Sequence, residues 1–346
     1  MMRYKLLGKS GLRVSELCLG TMTFGEDWGW GSSEAESRKV FDAFFEAGGN
    51  FIDTANVYTN GTSETLLGGF LKGDRGRAVL ATKYTNAMPG TDPNAAGNQR
   101  KNMVQAVEAS LKRLGTDYID LYWLHVWDRL TPLEEVMRAF DDLVRQGKIL
   151  YAGVSDMAAW TVARANTLAE LRGWTPFVGL QIEYSLIERT VERELIPMAE
   201  ALGLGVTAWS PLSSGVLTGK YSGEAVDPNA RMNSPMMKGF GGAASGRTRA
   251  VVAEVKAVAG EVGRSSAQVA LAWLRQRPTP VIPIVGARRL DQFLDNLACL
   301  DLTLTPEQVG RLDAVSHVEL GFPHDFYGID MVKALTYGGL RDRIDG

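Results

Sequence analysis

Short apolar runs recur along the first half of the chain, and four of them end in a polar side chain. The residues that follow these runs are Asp53, Lys83, His125 and Ser155. Continuous apolar runs of this length, bounded by polar residues, are typical of strands that are buried on both faces of a parallel sheet. A fold that gathers the carboxyl ends of such strands would bring these side chains, together with Tyr58, to one face of the molecule.

The apolar runs alternate with segments of helical periodicity. The pattern predicts a hairpin at residues 4–7 and 12–14, and then eight strands at residues 16–19, 50–52, 79–82, 119–124, 149–154, 178–182, 206–209 and 281–285. The first helix is expected to begin after Ser33, with Glu36 at capping-box spacing, and to end at Gly48. Further helices are predicted at residues 63–71, 101–114, 133–146, 158–172, 191–202, 248–262, 267–277 and 290–300. Eight strand–helix units predict an α/β fold of the closed (β/α)8 type, a TIM barrel with long loops at its carboxyl-terminal face.

Two segments interrupt this alternation. Residues 213–246 are rich in Gly, Met and Ser and include Lys220 and Arg231, and the tail after Ser316 has an irregular pattern. A connection as long as residues 213–246 is usually a binding loop or lid, or else is disordered. Because no linker is evident, residues 1–346 are expected to form a single domain.

The composition narrows the class of protein. Of the 346 residues, 45% are hydrophobic and 22% are charged, and the formal net charge is −3. This balance is typical of a globular protein and gives no support for nucleic acid or a membrane as a partner. Two distant cysteines and the lack of a secretion signal predict a cytoplasmic protein. No metal site is expected, because His and Cys are scattered without ligand spacing, and a homo-oligomer stays an open alternative.

Four side chains near the strand ends are complementary in their chemistry: Asp53, Tyr58, Lys83 and His125. Free tyrosine has a pKa of about 10, and a neighbouring ammonium such as that of Lys83 lowers it. The Asp53 carboxylate would hold that ammonium charged, and a neutral imidazole at His125 would hydrogen-bond a substrate oxygen. The set predicts a phenol that protonates a developing alkoxide, with the hydride supplied by a cofactor. For any one of these residues alone, a solvated loop position or a helix cap is the simpler interpretation.

An ordered series of motifs makes the chain resemble the aldo-keto reductase superfamily from residue 5 to about residue 316. The series comprises GTMTFG at 20–25, FIDTA at 51–55 with Tyr58, TK at 82–83, LH at 124–125, GKI at 147–149 with GVS at 153–155, Gln181, WSPL at 209–212, GVLTGKY at 215–221 and VGAR at 285–288. The resemblance implies a TIM barrel whose bottom is closed by the amino-terminal hairpin. It also implies NADPH-dependent reduction of an aldehyde or ketone, which is reversible toward alcohol oxidation.

The resemblance implies a role for each of the four side chains. Tyr58 matches the general acid of the family, and Lys83 matches the residue that lowers its pKa. Asp53 matches the partner of that lysine, and His125 matches the group that orients the substrate carbonyl. Relatives that reduce carbon–carbon double bonds carry a glutamate at the last position, so His125 implies carbonyl reduction.

The resemblance also implies an NADPH surface that is distributed along the chain. Ser155, Asp156 and Gln181 match the positions that hold the nicotinamide carboxamide, and Trp209 matches the aromatic residue that stacks on the ring. The other implied contacts lie at the first strand ends, in the loop over the pyrophosphate and at the adenine end: Gly20, Thr21, Met22 and Asp53; Ser210, Pro211, Leu212, Ser213, Gly215, Leu217, Gly219 and Lys220; Gly286, Ala287, Arg288, Gln292, Asp295 and Asn296. Arg288 favours NADP over NAD, because a guanidinium pairs well with a phosphate. Residues 213–246 are expected to close over the dinucleotide.

One position departs from the family pattern. Family members usually carry Ser-Asn where this chain carries Ser155-Asp156. An ionised aspartate accepts hydrogen bonds but cannot donate one, so it could hold the carboxamide NH2 group but not its oxygen. The dipeptide is also a candidate N-cap for the helix predicted at residues 158–172, and the two interpretations are compatible.

Residues 203–208, GLGVTA, match the G-x-G-x-x-[GA] fingerprint of dinucleotide-binding Rossmann folds. That fingerprint requires a strand before it and a helix after it. Here a helix is predicted before it and a strand after it, so this segment is not expected to bind a dinucleotide.

Aromatic side chains near the expected mouth of the barrel indicate the class of substrate. They are Trp28, Trp30, Tyr84 and Trp127, and they accompany His125 in the proposed substrate pocket. Pockets for small ligands are mostly apolar with a few polar anchors, so this set favours an apolar or aromatic carbonyl compound. Ordinary packing under loops is the competing interpretation for each of them.

Two other classes of function stay open. A non-catalytic, redox-sensing regulatory subunit that binds NADPH would use the same fold, because a fold does not fix a function. A barrel lyase or isomerase would need no nicotinamide. The complete set of four complementary side chains favours an enzyme that acts on a small carbonyl substrate.

Overall fold

A short antiparallel hairpin precedes a closed barrel of parallel strands in the computed structural model, which describes residues 1–88, 90–220 and 245–344. The hairpin consists of β1 (Tyr4–Leu6) and β2 (Arg13–Ser15). The barrel strands are β3 (Cys18–Gly20), β4 (Phe51–Asp53), β5 (Val79–Tyr84), β6 (Ile119–Leu124), β7 (Ile149–Ser155), β8 (Phe177–Glu183), β9 (Gly205–Trp209) and β10 (Val281–Val285). Each strand pairs with the next along the chain, and β10 closes the barrel against β3. The predicted (β/α)8 architecture is confirmed.

Helices connect the strands, as the periodicity predicts. They are α1 (Glu34–Glu46), α2 (Thr62–Phe70), α3 (Arg100–Leu114), α4 (Leu133–Arg145), α5 (Ala159–Arg172), α6 (Leu195–Leu202), α7 (Gly246–Val262), α8 (Ser266–Arg275) and α9 (Leu290–Leu297). The Ser33 side chain accepts the backbone N–H of Glu36 at 3.3 Å, which confirms the predicted start of α1. The helix predicted at 191–202 is shorter, because a separate 3-10 turn occupies Thr190–Glu192 before α6 begins.

Three further helices lie beyond the barrel: α10 (Pro306–Val315), α11 (His324–Gly328) and α12 (Asp330–Thr336). The prediction of an irregular tail after Ser316 is therefore wrong for α11 and α12. The large apolar side chains of α11 and α12 are mostly exposed, including Phe326 and Leu335, so the apolar periodicity that marks a packed helix is weak there.

The inside of the barrel is filled by side chains. Trp123 on β6 is fully buried and lies against Gly153 on β7 and Gly179 on β8. A Cβ atom at Gly153 would lie 2.3 Å from the Trp123 ring, so glycine is required there to make room for the indole. The barrel is therefore a packed core, and chemistry is confined to its ends.

The hairpin seals the amino-terminal end of the barrel. Lys9 N donates to Gly203 O at 2.8 Å, and a Cβ atom at Gly205 would lie 2.6 Å from Leu7 Cδ1. Gly203 is the left-handed C-cap of α6, with φ of 65°. The two glycines of the GLGVTA segment thus serve a helix end and the hairpin contact, which explains the resemblance to a Rossmann fingerprint without a dinucleotide.

The segment predicted to close over the cofactor is described only at its two ends. A 3-10 turn spans Ser213–Thr218 and α7 begins at Gly246, whereas Arg231 lies outside the described residues. Within the described ranges, no helix combines the length and the apolar character that a bilayer span needs.

Candidate active site

Strands β4 and β5 end side by side and bring three of the four candidate residues into contact. Lys83 on β5 is fully buried, and its Nζ donates to Asp53 Oδ2 at the end of β4. The same Nζ donates to Thr54 O at 2.9 Å and to Tyr58 Oη at 3.2 Å. Gln181 on β8 donates its Nε2 to the other Asp53 oxygen at 3.0 Å. One carboxylate therefore holds both the ammonium and an amide from the opposite side of the barrel.

His125 completes the group from the end of β6. Its ring centroid lies 6.0 Å from that of Tyr58, and the two rings are nearly perpendicular at 81°. Its backbone N–H donates to Tyr84 O at 3.3 Å, which continues the β5–β6 pairing one residue past the strand. The structure thus brings together all four residues that the sequence analysis singles out.

Tyr58 reaches this position through a strained turn. It begins a 3-10 segment, Tyr58–Gly61, in which Thr59 and Asn60 have positive φ angles of 45° and 56°. The Thr59 hydroxyl donates to Phe24 O at 2.6 Å and ties the turn to the loop after β3. Trp28 packs edge-on to Tyr58 with a centroid distance of 6.4 Å.

Opposing effects set the protonation states of the site. Although desolvation lowers the pKa of Lys83, the Asp53 carboxylate and the Tyr58 hydroxyl raise it above its usual value, so the ammonium stays charged. Desolvation raises the pKa of Tyr58, and the ammonium of Lys83 opposes that rise. Lys83 lowers the pKa of the Tyr58 phenol, as expected from the sequence. The effect of burial is larger, so the pKa of Tyr58 is raised overall. Desolvation, with a smaller effect of Lys83, holds the pKa of His125 well below its usual value, so the imidazole is neutral at pH 7.

The residues implied for the nicotinamide lie beside this group. Ser155 ends β7 opposite Gln181 on β8. Ser155 Oγ is buried and has no hydrogen-bond partner among the described residues. A buried hydroxyl without a partner costs free energy, so this atom is suited to a ligand group such as a carboxamide.

Asp156 contacts a different implied cofactor residue. Trp209 Nε1 donates to Asp156 Oδ1 at 3.0 Å, across the end of β8. The backbone of Asp156 is left-handed, with φ of 46°, and the N-cap of α5 is Ala158, without a side-chain hydrogen bond. The interpretation of Ser155-Asp156 as a helix N-cap is therefore wrong, because the left-handed turn directs the aspartate toward the indole.

The start of the expected pyrophosphate loop forms a compact turn. Positive φ angles occur at four of its residues, Ser210, Ser213, Ser214 and Gly215. Leu212 O accepts the N–H groups of both Gly215 and Leu217, whose side chain is fully buried in the core. A Cβ atom at Gly215 would lie 2.6 Å from Lys220 Nζ, so the lysine side chain folds back over the turn. Successive left-handed residues with an ammonium above them are a suitable cradle for an anion.

The implied contacts at the strand ends are close together. A Cβ atom at Gly286 would lie 2.9 Å from Gly20 O, and Thr23 Oγ1 donates to Ala287 O at 3.0 Å. Both the N–H and the hydroxyl of Thr21 donate to Asp53 O at 3.0 Å. Thr21 therefore holds the backbone carbonyl of Asp53 in place. Met22 follows Thr21 in the same loop.

The implied adenine end lies in the β10–α9 loop and in α9. Arg288 and Gln292 are partly exposed, and Asn296 is buried. Asp295 accepts hydrogen bonds from Ser265 Oγ at 2.8 Å and from Gln268 Nε2 at 2.6 Å. Both Asp295 oxygens thus serve the packing of α8 against α9, which leaves its predicted cofactor contact without support from the geometry.

The predicted substrate residues divide into two groups. Trp28 and Trp30 pack on each other at 5.6 Å near Tyr58. Trp127 packs against Trp160 at 5.8 Å. The placement of Tyr84 in the substrate pocket is wrong, because its ring is fully buried and stacks on Tyr122 at 5.4 Å outside the barrel wall.

A cavity of about 490 Å³ lies between the loops after β6 and β7 and is lined from Val126, the residue after His125, to Asp156 and α5. Its lining is largely apolar and aromatic and consists of Val126, Trp127, Arg129, Asp156, Met157, Ala158 and Trp160. Trp127 Nε1 is buried and has no hydrogen-bond partner among the described residues. The cavity has the size and the lining that small aromatic ligands prefer.

The sequence analysis missed two asparagines in the site. Asn86 Nδ2 lies 3.3 Å from His125 Nδ1. Asn56 Nδ2 donates to Asn86 O at 3.0 Å. Asn56 lies between Asp53 and Tyr58, and Asn86 lies three residues after Lys83, so their closeness to the motifs was the one available signal.

Comparison with known proteins decides the family. Residues 16–317 match the family model described as "Aldo/keto reductase family". The chain belongs to this family. It is 38% identical to an aryl-alcohol dehydrogenase (NADP(+)) of Phanerodontia chrysosporium over 334 residues, which cover 92% of this chain and 86% of that protein. It is 36% identical to a norsolorinic acid reductase of Aspergillus flavus, over 93% of this chain and 82% of that protein.

As an aldo/keto reductase, the chain is an oxidoreductase, and the resemblance drawn from its motifs is confirmed. The matched residues 16–317 include the whole barrel and α10. A putative aryl-alcohol dehydrogenase of Saccharomyces cerevisiae is 35% identical over 95% of this chain and 90% of that protein. The three proteins cover the chain at nearly full length, so the similarity is not confined to the motifs.

Proposed function

We propose that this aldo/keto reductase catalyses the reversible, NADPH-dependent reduction of an aryl aldehyde or ketone to the alcohol. The observation that carries the proposal is the hydrogen bond from Lys83 Nζ to Tyr58 Oη at 3.2 Å, with Asp53 holding the same ammonium. A protonated phenol whose oxygen already accepts a hydrogen bond from an ammonium is suited to give up its proton to a developing alkoxide.

Each of the four residues has a separate task in this mechanism. NADPH, when bound, supplies the hydride. Tyr58 gives the proton to the substrate oxygen, and the charge left on its own oxygen is stabilised by the Lys83 ammonium. Asp53 keeps that ammonium in place. His125 is neutral and donates a hydrogen bond to the same substrate oxygen, which orients the carbonyl.

The residues that would hold the cofactor fit it on three separate observations. Ser155 Oγ is a buried hydroxyl that has no partner among the described residues. The left-handed turn from Ser210 to Gly215 lies under the Lys220 ammonium, which suits a pyrophosphate. Trp209 is held by Asp156 at the edge of the site, where its ring would stack on the nicotinamide. Arg288 would pair with the 2′-phosphate, which supports NADP over NAD.

The cavity lined by Val126, Trp127 and Asp156 supports an aromatic substrate. Trp127 and Trp160 present aromatic surfaces to it, and aromatic rings prefer edge-to-face or offset contacts with one another. The names of the relatives from Phanerodontia chrysosporium and Aspergillus flavus also refer to an aryl alcohol and to norsolorinic acid. The contacts among the four candidate catalytic residues favour an enzyme over a regulatory protein that binds NADPH without oxidising it.

The test measures NADPH absorbance with a panel of aryl and straight-chain aldehydes. We expect turnover of the aryl compounds, with NADPH strongly preferred over NADH, and several-fold higher KM for aryl substrates in Trp160→Ala. Leu171→Ala is the matched control, because Leu171 lies on the same helix and is also exposed but does not line the cavity. Binding of NADPH without oxidation across the panel would favour the regulatory alternative, and no binding of NADPH would end the proposal.

A further inference from the structure

The neutral imidazole of His125 has one N–H, and its position decides whether the ring can help a carbonyl. A carbonyl oxygen accepts hydrogen bonds, so the ring nitrogen that faces it must carry the proton. The tautomer of a histidine is set by the hydrogen bond that its other nitrogen makes. In this protein, the group at the other nitrogen is the side-chain amide of Asn86, whose Nδ2 lies 3.3 Å from His125 Nδ1.

We propose that Asn86 is a positioning residue whose amide N–H donates to His125 Nδ1 and so keeps the imidazole proton on Nε2. An amide nitrogen can donate but cannot accept, so its partner atom Nδ1 must be unprotonated. Nε2 is then the nitrogen that carries hydrogen and donates to the substrate oxygen. The catalytic consequence rests on the proposed function, whereas the position of the proton does not.

The surrounding loops hold Asn86 where this contact requires it. Asn56 Nδ2 donates to Asn86 O at 3.0 Å, and Asn56 N donates to Lys83 O at 3.2 Å. These bonds join the loop after β4, which carries Tyr58, to the loop after β5, which carries Asn86. The backbone between Lys83 and Asn86 turns sharply at Thr85, with φ of 99°.

A second contact joins the loops after β5 and β6. Asn98 Nδ2 donates to Val126 O at 3.0 Å and to Thr85 Oγ1 at 2.9 Å. Val126 directly follows His125, so the backbone of the histidine is fixed relative to that of Asn86. The distance between the amide and the imidazole is therefore set by backbone contacts on both sides.

Because the His125 ring is neutral, its tautomer decides which of its two nitrogens can donate a hydrogen bond. Desolvation and the Lys83 ammonium hold the pKa of His125 well below its usual value, so the ring has no second proton with which to serve both partners. The other titratable groups beside it, Lys83 and Tyr58, both have pKa values raised above their usual values. Neither changes charge between pH 6 and pH 8, so His125 itself governs any pH effect of Asn86 in that range.

The direct test is ¹⁵N NMR of the imidazole rings in the full chain. The protein contains three histidines, so the ring spectrum is simple, and the signals that disappear in His125→Gln assign this residue. We expect wild type to carry its proton on Nε2. In Asn86→Asp the carboxylate only accepts hydrogen bonds, so the proton should move to Nδ1, or both nitrogens should be protonated. A wild-type proton on Nδ1, or an unchanged His125 pattern in Asn86→Asp, would overturn the proposal.

Kinetics with an aryl aldehyde gives a second readout. At pH 8 we expect kcat of Asn86→Asp to fall about 10- to 100-fold with little change in KM, because one hydrogen-bond donor to the reacting oxygen is lost. The introduced carboxylate also raises the pKa of His125, because it stabilises the imidazolium. The loss should therefore shrink as the pH falls from 8 toward 6, since protonation of His125 restores the Nε2–H group. A merely structural role of Asn86 would give a loss that does not depend on pH.

Asn94→Asp is the matched control, because Asn94 is exposed in the same loop and receives the same change of charge. An equal loss of kcat in both variants would contradict the assignment to Asn86. Unchanged signals from His317 and His324 in Asn86→Asp report that the variant is folded. If wild type turns over no carbonyl compound, the proposed function fails, and the NMR measurement still decides the tautomer.

Discussion

At the scale of single residues, the burial of Lys83 is the central physical problem. An ammonium removed from water is costly unless opposite charge and hydrogen-bond acceptors surround it. Asp53, the carbonyl of Thr54 and the hydroxyl of Tyr58 supply those acceptors around one nitrogen. The same three contacts place a positive charge beside the phenol, so the arrangement that stabilises the buried ammonium is also the one that the proposed proton transfer needs.

Glu183, at the end of β8, is a partly buried ionisable group that lacks such partners. Its side chain makes no hydrogen bond or ion pair with any described residue, and it lies opposite Trp209 in the sheet register. Burial raises its pKa to about 7, and the neighbouring Glu188 and Asp156 add to this effect. The Glu183 carboxyl group therefore binds its proton more tightly in the folded protein than in the unfolded chain. Stability falls as pH rises from the unfolded value of about 4.3 to about 7, because ionised Glu183 is then disfavoured.

We predict that Glu183→Gln stabilises the protein at pH 8 and has little effect near pH 4.5. The expected gain in the free energy of unfolding at pH 8 is about 1 kcal/mol, a discounted value because the side chain is partly exposed to solvent. Urea unfolding at the two pH values measures it. Glu170→Gln on the exposed face of α5 is the control, and an equal gain at both pH values would refute the explanation.

At the scale of elements, α10 begins with a reciprocal capping box between Thr305 and Gln308. Gln308 N donates to Thr305 Oγ1 at 3.3 Å, and Thr305 N donates to Gln308 Oε1 at 3.0 Å. Pro306 occupies the first turn, where its missing N–H costs nothing. Arg311 then joins α10 to α7 through Glu254 and Glu261.

Thr305→Ala should lower the free energy of unfolding by about 1 kcal/mol, because the N-cap oxygen is lost. Thr305→Ser keeps that oxygen and should lose much less. Chemical denaturation of the two variants gives the comparison. If both variants lose the same free energy, the capping interaction does not stabilise α10.

The amino-terminal hairpin and the elements of the barrel could be predicted from the sequence, whereas the three helices after the barrel could not. The strands at 119–124 and 281–285 were predicted to the residue, because continuous apolar runs bounded by polar residues mark buried strands. The Thr305–Gln308 signal for α10 was present in the sequence but was not used. Tyr84 was misplaced because a strand residue facing the helices and one facing the mouth look alike until the register is known.

At the scale of the whole molecule, closure of the barrel brings distant residues together. Gln181 and Asp53 are 128 positions apart, and their hydrogen bond crosses the mouth of the barrel from β8 to β4. Sequence motifs could predict that each residue lies at a strand end, since parallel strands share one direction. They could not predict pairs such as Asn86 with His125 or Asp156 with Trp209, because such contacts depend on the geometry of loops.

The amino-terminal end and the interior of the barrel are filled by side chains, which leaves the carboxyl-terminal end as the place for a binding site. Leu7 and Gly8 fill the bottom against Gly205, and Trp123 fills the interior. The Tyr58 phenol, the Lys83 ammonium and the His125 imidazole therefore lie at the carboxyl-terminal face, where the loops form the cavity lined by Trp127 and Trp160. This division between a sealed end and a reactive end is the general plan of such barrels.

The measurement that tests the central claim most directly compares wild type with Tyr58→Phe, which removes one hydroxyl. NADPH affinity is measured by quenching of protein fluorescence, and turnover by NADPH absorbance with an aryl aldehyde. The proton-donor role predicts that turnover falls by about 100- to 10,000-fold while NADPH affinity stays nearly unchanged. A Tyr58→Phe protein that binds NADPH and reduces the aldehyde at the wild-type rate would contradict it.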